Sequence, residues 1–255
     1  MELAFTRLGF DPQLLDYSET HAVQQRLHAA VHDGTAPSTV LLLEHADVYT
    51  AGRRTEPQDR PKDGTPVLDV DRGGKITWHG RGQLVGYPIL HLRDPSLVRD
   101  YVCVLEKMLI SLLSEDFGIY GTQVEGRSGV WLIDGEGQRK IAAIGLRVHH
   151  SVTMHGFALN CSNDLAPFEN IIPCGISDAG TTSISAELGR RVTPEDVADS
   201  VTARLQSVLP HLLRSTPPPT PQAAPHVSAG SAGSPDPRVS QRGCDISRTT
   251  EGVPQ

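Results

Sequence analysis

Apolar residues recur at helical spacing in three parts of the chain, and each part starts or ends at a residue typical of a helix boundary. The first predicted helix starts at the Asp-Pro pair 11–12 and stops at Gly34. The second, with the longest apolar face, runs from the Asp-Pro pair 94–95 to Gly118. The third opens at Thr193 and carries its apolar positions up to residue 212.

Short apolar runs between these helices predict β-strands at 39–44, 67–70, 83–92, 129–133, 139–148 and 153–160. The last three follow one another through short turns, one of them the Asp134-Gly135 pair, which favours a positive-φ turn, so they predict antiparallel pairing. Pro88 predicts an edge position or a bulge in its strand, because proline cannot donate a ladder hydrogen bond. Residues 45–54 are predicted as a loop.

The stretch Arg72–Gln83 holds four glycines, two arginines, a lysine and a histidine within twelve residues, between two predicted strands. Glycine lets the backbone approach a ligand closely, and polar or cationic side chains are interleaved with the glycines. A wide turn would explain an isolated Gly-Gly pair. The interleaved pattern predicts instead a loop that forms the wall of a binding site.

Composition narrows the class of protein. The 255 residues are 38% hydrophobic and 21% charged, as in globular domains. A net charge of −7 argues against a nucleic-acid binder that works through a global basic field. No apolar run is long enough to span a bilayer, the first ten residues hold no export signal, and four cysteines are widely spaced. These features predict a reduced, cytoplasmic protein.

The character of the chain changes at residue 215. A run of three prolines is followed by scattered serine, glycine and alanine with almost no large apolar residues. Such a segment cannot offset its ordering entropy by burial. We expect one catalytic domain over residues 1–214 and a disordered tail over 215–255 that includes Cys244.

A few residues could carry chemistry. Cys174 lies between proline and glycine in an irregular segment, and a nearby cation would favour its reactive thiolate. Lys140, at the start of an apolar strand, is the nearest candidate cation, although a solvated strand-end lysine is the simpler interpretation. His79 or His155 could serve as the partner base, as in cysteine hydrolases. The histidines show no metal-binding spacing and no nucleotide-binding motif is present, so we expect no metal and no cofactor.

Several motifs occur in a fixed order. They are Arg72-Gly-Gly-x-x-Thr77-x-His79-Gly-x-Gly82-Gln83 with Tyr87-Pro88, then Lys140-Ile-Ala-Ala-Ile-Gly145, Thr153-x-His155-Gly-x-Ala158-Leu-Asn160, Asp164-Leu165 and Ile172-Pro-Cys174-Gly175. Together they resemble the signature of lipoyl(octanoyl) transferases over about residues 1–214. The resemblance implies an α/β (α+β) fold like the catalytic domain of biotin and lipoate protein ligases. In that fold a largely antiparallel or mixed sheet packs against helices.

The resemblance also implies the site. Cys174 would be the acyl-thioester nucleophile and Lys140 would lower its pKa. The acyl-binding positions would be Arg72, Gly73, Gly74, Lys75, Ile76, Thr77, Trp78, His79, Ala143, Ile144, Gly145, Gly156, Phe157 and Ala158. Ile144, Phe157 and Ala158 are expected to line an apolar slot for an eight-carbon chain. Arg81 departs from the family pattern, which commonly has proline there.

By the same resemblance the partners would be octanoyl-acyl carrier protein as donor and lipoyl domains of 2-oxoacid dehydrogenase complexes and the glycine cleavage H protein as acceptors. The enzyme is expected to be a monomer. Because carrier proteins are usually acidic, we expect a local cationic rim, with Arg53, Arg54, Lys75 and Arg81 as candidates. Three alternatives stay open: an ATP-dependent lipoate or biotin ligase, a cysteine thioesterase or hydrolase, and a non-catalytic carrier-protein binding module.

Overall fold

The computed structural model describes residues 3–61, 64–171 and 179–214. The strands are β1 Leu3–Gly9, β2 Ser38–Leu43, β3 Val48–Ala51, β4 Val67–Asp69, β5 Ile76–His79, β6 Gln83–Ile89, β7 Thr122–Val124, β8 Arg127–Asp134, β9 Gly137–His149, β10 Val152–Asn160 and β11 Gly180–Thr181. The α-helices are α1 Tyr17–His32, α2 Val98–Phe117, α3 Ile184–Leu188 and α4 Pro194–Val208.

Most strands form one mixed sheet. Its order is β1-β2-β6-β10-β9-β8-β7, and β11 pairs with β9 where β10 has ended. The β1–β2 and β11–β9 pairs are parallel and the others are antiparallel. The expected α/β class with a largely antiparallel or mixed sheet is therefore confirmed, and so is the antiparallel succession of β8, β9 and β10.

A second, three-stranded sheet has the order β4-β3-β5. It corrects two predictions. The segment 45–54 is not all loop, because β3 lies within it and pairs with both β4 and β5. The stretch 72–83 is not one loop either, because β5 occupies its middle as four buried residues. Alternating Ile76 and Trp78 supply the apolar side chains that make this glycine-rich stretch able to form a strand.

The large sheet is covered on both faces. Helices α2 and α4 pack against one face through the main apolar cluster, which includes Leu42, Leu84 and Leu105. Helix α1 lies on the other face over a smaller cluster that includes Leu41 and Val85. Because successive strand residues point to opposite faces, the uninterrupted apolar run in β2 serves both clusters. No helix in the described part of the chain is both long and apolar enough to cross a bilayer.

The helix boundaries follow the predicted chemistry at two of the three helices. Gly118 ends α2 in the left-handed conformation, and Thr193 forms a capping box with Asp196 at the start of α4. The predicted start of α1 at the Asp-Pro pair 11–12 is wrong. Asp16 is the cap, because its side chain accepts a hydrogen bond from the N–H of Glu19 at 3.0 Å.

Turn and strand details also differ from the sequence expectations. In the β8–β9 hairpin the positive φ belongs to Gly137, at +102°, and not to Gly135. Pro88 lies in the central strand β6 and not at an edge, but the ladder from β6 to β10 ends at the Gly86–Phe157 pair, before the proline. Strand β1 and helix α3 were not predicted, because neither has a clean apolar period. The predicted tail 215–255 and Cys244 lie outside the described residues.

Candidate active site

The glycine-rich loop between β4 and β5 is held by the buried guanidinium of Arg72. Its Nη2 donates to the carbonyl and hydroxyl oxygens of Thr50, at 2.8 and 3.0 Å, and its Nη1 donates to the carbonyls of Gly73 and Lys75. The N–H of Gly73 donates to the carbonyl of Leu146 in β9 at 3.0 Å. Arg72 thus joins the loop to the small sheet, while Gly73 joins it to the large one.

Asp71, the residue before this arginine, is bound from the large sheet. Its carboxylate accepts from His155 Nε2 at 2.8 Å and pairs with Arg147. The hydrogen bond from His155 is the chief cause that holds the pKa of Asp71 well below its usual range, and Arg147 adds to it. The glycine-rich loop is therefore held by the small sheet and by the large sheet, without any ligand.

Strand β5 divides its side chains between two surroundings. Thr77 and His79, with Lys75 just before the strand, line a cavity that Arg72 also lines, called here the Arg72 cavity. Ile76 and Trp78 point the other way, into an apolar cluster with Phe168. Of the predicted binding positions in this stretch, Arg72, Lys75, Thr77 and His79 thus offer side chains to the cavity, and Ile76 and Trp78 pack behind it.

The opposite wall of the Arg72 cavity comes from the paired strands β9 and β10 and consists of small residues. Ala143 pairs with Ala158 and Gly145 pairs with Gly156, and all four line the cavity. A Cβ atom added to Gly145 would stand 3.2 Å from the Arg72 side chain, and one added to Gly156 would stand 2.2 Å from the carbonyl oxygen of Gly86. Close approach of the backbone requires glycine at position 156, and at position 145 a Cβ atom would crowd the Arg72 side chain.

Ile144 and Phe157 also border this cavity. Their side chains, however, pack with the large apolar cluster on the α2 and α4 side of the sheet. Strand alternation explains this, because their neighbours Ala143 and Ala158 face the cavity. The apolar slot expected from the sequence therefore owes its space to alanine and glycine on this wall.

Buried polar rings line the rest of the cavity. Tyr17, at the start of α1, stacks on His79 with ring centroids 6.0 Å apart, and Tyr87 donates to His45 Nε2 at 2.8 Å. Burial lowers the pKa of His79 to about 3 and that of His45 to about 4. Both imidazoles are neutral at pH 7, so this end of the cavity is polar but carries no imidazolium charge.

Lys140 lies in a second cavity, called here the Lys140 cavity. It is only 8% exposed, so the interpretation of a solvated strand-end lysine is wrong. Its ammonium donates to the carbonyl of Ser128 at 3.1 Å and lies over the ring of Trp131, 4.5 Å from the centroid. Among the described residues that line this cavity, Lys140 is the one with an ionisable side chain.

The two cavities adjoin. Thr77, Ala143 and Ala158 line both of them, so these three residues form their junction. Beyond the junction, the Lys140 cavity is lined by the buried amides Gln83 and Asn160, which hydrogen-bond each other at 2.9 Å. The arrangement is a narrow path that leads from an ammonium group, past two alanines, into a slot with small-residue walls.

The described cysteines do not contribute a reactive thiol. Cys103 and Cys161 are both fully buried. Burial raises the pKa of the Cys161 thiol far above its usual range, and Cys103 packs within α2 as expected. Cys174 lies outside the described residues. Phe168 and Ala179, on either side of the segment that contains it, both line the Lys140 cavity.

The histidines considered as bases or metal ligands lie in the Arg72 cavity and not beside Lys140. His79 and His155 line the Arg72 cavity and are absent from the described lining of the Lys140 cavity. One group among the described residues has the geometry to hold a metal ion, formed by His21, Asp71 and His155. Its carboxylate already pairs with Arg147 and His155, so the positive charge that a metal would bring is partly supplied.

The candidate residues for a cationic rim differ in their surroundings. Lys75 pairs with Glu56 and Asp59, at 3.0 and 3.1 Å, and Arg81 lies 3.5 Å from Asp11. Arg53 and Arg54 are exposed directly after β3, and their backbone N–H groups donate to the carbonyls of Arg72 and Gly74. Lys75 is part of the glycine-rich loop itself, whereas Arg53 and Arg54 contact that loop through their backbone and leave their side chains exposed.

Tyr17 and Trp131 are among the cavity residues that sequence reasoning missed. Tyr17 gave no signal because it lies off the helical spacing of the apolar residues in this part of the chain. Trp131 could have been found. A two-residue turn after Asp134 pairs 134 with 137 and hence 131 with 140, which is the observed register.

Comparison with known proteins identifies the family. Residues 16–206 match the family model described as the lipoyl protein ligase A/B catalytic domain. The octanoyltransferase of Renibacterium salmoninarum is 56% identical over 216 residues, covering 84% of this chain and 88% of that protein. The octanoyltransferase of Leifsonia xyli subsp. xyli is 58% identical over 208 residues, covering 80% and 92%. The chain belongs to the octanoyltransferase family.

It is therefore an acyltransferase, which transfers an octanoyl group in protein lipoylation. The resemblance inferred from the ordered motifs is confirmed. The alternatives of an ATP-dependent ligase and of a non-catalytic module are set aside by the activity that these relatives share.

Solved structures of low sequence identity share the fold. A bipartite lipoate protein ligase from Thermoplasma acidophilum, solved in a study of an archaeal lipoylation system and its E2 lipoyl domain, matches with a TM-score of 0.58 at 12% identity, covering 81% of this chain and 82% of that chain. A lipoate-protein ligase A bound with ATP matches with a TM-score of 0.54 at 10% identity, covering 81% and 84%. At such identity the likeness establishes the fold of the enzyme and nothing more.

Proposed function

We propose that the enzyme takes the octanoyl group from octanoyl-acyl carrier protein onto Cys174 and passes it to a lysine of a lipoyl domain. The observation that carries the proposal is the buried ammonium of Lys140 in a cavity that adjoins a slot with small-residue walls. Domain boundaries of 1–214 for the catalytic unit and 215–255 for a tail are part of the same proposal.

In the first step the Cys174 thiolate attacks the donor's thioester carbonyl. The new C–S bond forms as the bond to the phosphopantetheine sulfur breaks, and the departing thiolate takes up a proton in place of the one that Cys174 gave up. One thioester replaces another, so the exchange is nearly balanced and needs no nucleotide. Phe168 and Ala179 lie on either side of Cys174 in the chain and line the Lys140 cavity. Their position supports the proposal that Cys174 acts next to the ammonium of Lys140.

In the second step the neutral amine of the acceptor lysine attacks the octanoyl thioester on Cys174. An amide bond forms, the C–S bond breaks, and the proton lost by the amine returns to the sulfur. Lys140 stabilises the thiolate electrostatically at the start and end of this cycle. It lies in the same cavity as the neutral amides Gln83 and Asn160, which are suited to fixing polar groups without adding charge.

The acyl chain then extends past the junction into the Arg72 cavity. Arg72, Gly73 and Gly74 hold the loop that forms one wall, and the small face of β9 and β10 forms the other. Thr77 and His79 lie along the chain's path, and Ile76 and Trp78 support them from behind. These are the roles we propose for the predicted substrate-binding positions.

The direct test is transfer. With octanoyl-acyl carrier protein as donor and no ATP, we expect a lipoyl domain to gain about 126 Da, the mass of octanoyl minus the hydrogen it replaces. Intact mass spectrometry measures the gain, and a domain in which the acceptor lysine is arginine serves as control. Release of free octanoate without modification of the domain would instead identify a thioesterase.

The junction between the two cavities predicts how the enzyme depends on acyl length. Replacing Ala143 with Val adds two methyl groups where the two cavities meet. We expect the kcat/KM for octanoyl donors to fall by about tenfold or more, while that for butanoyl donors changes little, because only the longer chain must pass the junction. The measurement is kcat/KM for a series of acyl-carrier donors of increasing length.

Ala142→Val is the matched control, because Ala142 is fully buried in the large apolar cluster on the opposite face of the same strand. It carries a similar cost of overpacking without blocking the junction. An equal loss across all acyl lengths in Ala143→Val, or the same length profile in both variants, would show that the chain takes another path.

A further inference from the structure

A carboxylate is buried on the apolar face of α2, where the neighbouring residues are hydrophobic. Glu106 is only 7% exposed, and it follows Leu105 among the buried residues of the helix. Burying a charged side chain is costly unless it is hydrogen-bonded. The steps proposed above do not use this residue.

Both oxygens of Glu106 accept hydrogen bonds. Oε1 accepts from the backbone N–H of Gly129 at 2.8 Å, and Oε2 accepts from the side-chain amide of Gln123 at 2.6 Å. Two donors on two oxygens match an acceptor-only carboxylate. The carboxylate therefore reaches from the helix to the backbone of β8.

The N–H of Gly129 and the C=O of Ser128 belong to one peptide group. That carbonyl accepts the hydrogen bond from the ammonium of Lys140 at 3.1 Å. A single rigid peptide plane thus has the carboxylate of Glu106 at one end and the ammonium of Lys140 at the other. A carboxylate bound to the N–H also polarises the peptide and makes its carbonyl a better acceptor.

The backbone at this point has a conformation that depends on glycine. Gly129 has φ +118°, a conformation open to glycine, and a Cβ atom there would stand 2.3 Å from the carbonyl oxygen of Ala142. The register of the β8–β9 pair also shifts between Val130 and Trp131, next to Lys140. If the 128–129 peptide rotated, it would turn an N–H toward the ammonium in place of the carbonyl.

We propose that Glu106 is a positioning residue, which fixes the ammonium of Lys140 through the 128–129 peptide at the place where it acts on the nucleophilic thiol. This inference rests on the proposed function, because it needs Lys140 to act on Cys174. Glu106 itself lies outside the described lining of both cavities.

The test compares Glu106→Ala with Glu106→Gln in the full chain. The readouts are kcat and KM for octanoyl transfer and the pH midpoint for alkylation of Cys174 by iodoacetamide. In Glu106→Ala we expect kcat to fall about tenfold, KM to stay within about twofold, and the alkylation midpoint to rise by about one pH unit. Glu106→Gln should remain near wild type, because its amide oxygen can still accept from the N–H of Gly129.

Leu109→Ala is the control for a purely structural role, because Leu109 is buried on the same helix in the core. It should lower the melting temperature without moving the alkylation midpoint. Where Glu106→Ala does not fold, Glu106→Asp serves in its place, since the shorter side chain withdraws the carboxylate from Gly129. An unmoved midpoint in the folded variant, or an equal shift in Leu109→Ala, overturns the positioning role.

Lys140→Ala distinguishes failure of the positioning role of Glu106 from failure of the proposed role of Lys140. If it raises the midpoint while Glu106→Ala does not, the positioning role of Glu106 fails and the proposed function stands. If neither variant moves the midpoint, the role of Lys140 fails and the positioning role fails with it.

Discussion

Replacing Cys174 with Ala is expected to abolish the covalent octanoyl-enzyme and to lower octanoyl transfer by about a thousandfold or more. The thiolate is the group that takes the acyl chain from the donor, so its loss removes both steps and not merely one of them. The measurement is intact mass after incubation with octanoyl-acyl carrier protein. Wild type should gain about 126 Da and lose it on treatment with neutral hydroxylamine, which cleaves thioesters.

The control for this experiment is Cys161→Ala. Cys161 is fully buried, and burial raises its thiol pKa, so its removal should leave the adduct in place. An adduct of undiminished amount on Cys174→Ala, or none on the wild type, would contradict an acyl-thioester at this position. Loss of the adduct in Cys161→Ala with retained folding would move the nucleophile to a different residue.

Replacing Lys140 with Ala is expected to raise the pH midpoint for alkylation of Cys174 by one to two units, on the order of magnitude known for thiols near a cation. A nearby ammonium stabilises the thiolate and lowers the thiol pKa, so its removal raises that pKa and leaves less thiolate at pH 7. We expect kcat/KM for transfer at pH 7 to fall by about a hundredfold. The rate of alkylation as a function of pH measures the first effect directly.

Lys140→Arg is the informative companion variant. It keeps the positive charge but replaces a compact ammonium with a planar guanidinium in a site built around the Ser128 carbonyl and the ring of Trp131. A partial shift of the midpoint is expected. An alkylation profile in Lys140→Ala that matches wild type would assign the lysine to structure alone.

Much of the fold could be predicted from residues that act locally. The apolar period of α2 and its glycine stop, the Thr193 cap of α4 and the β8–β9 hairpin all depend on neighbours within a few positions, and all were found. The start of α1 was misplaced because two Asp residues that could cap the helix lie five residues apart. The choice between them depends on tertiary packing.

The site was less accessible to sequence reasoning. The motif residues were named in advance, but motifs do not show which face of a strand a residue takes. Ile144 and Phe157 were expected to line the slot with their side chains, whereas alternation turns them toward α2 and α4. The burial of Lys140 depends on a carbonyl and an indole ring from a neighbouring strand, and that information lies in the register.

The wall formed by Ala143, Gly145, Gly156 and Ala158 has a consequence for changing what the enzyme carries. Since this surface is already nearly bare backbone, every substitution on it other than alanine to glycine subtracts room. A single substitution in β9 or β10 can therefore shorten the acyl chain that the enzyme accepts. Accepting a dodecanoyl chain would require rebuilding the aromatic end around Tyr17 and Tyr87, so substrate length in this scaffold evolves downward more readily than upward.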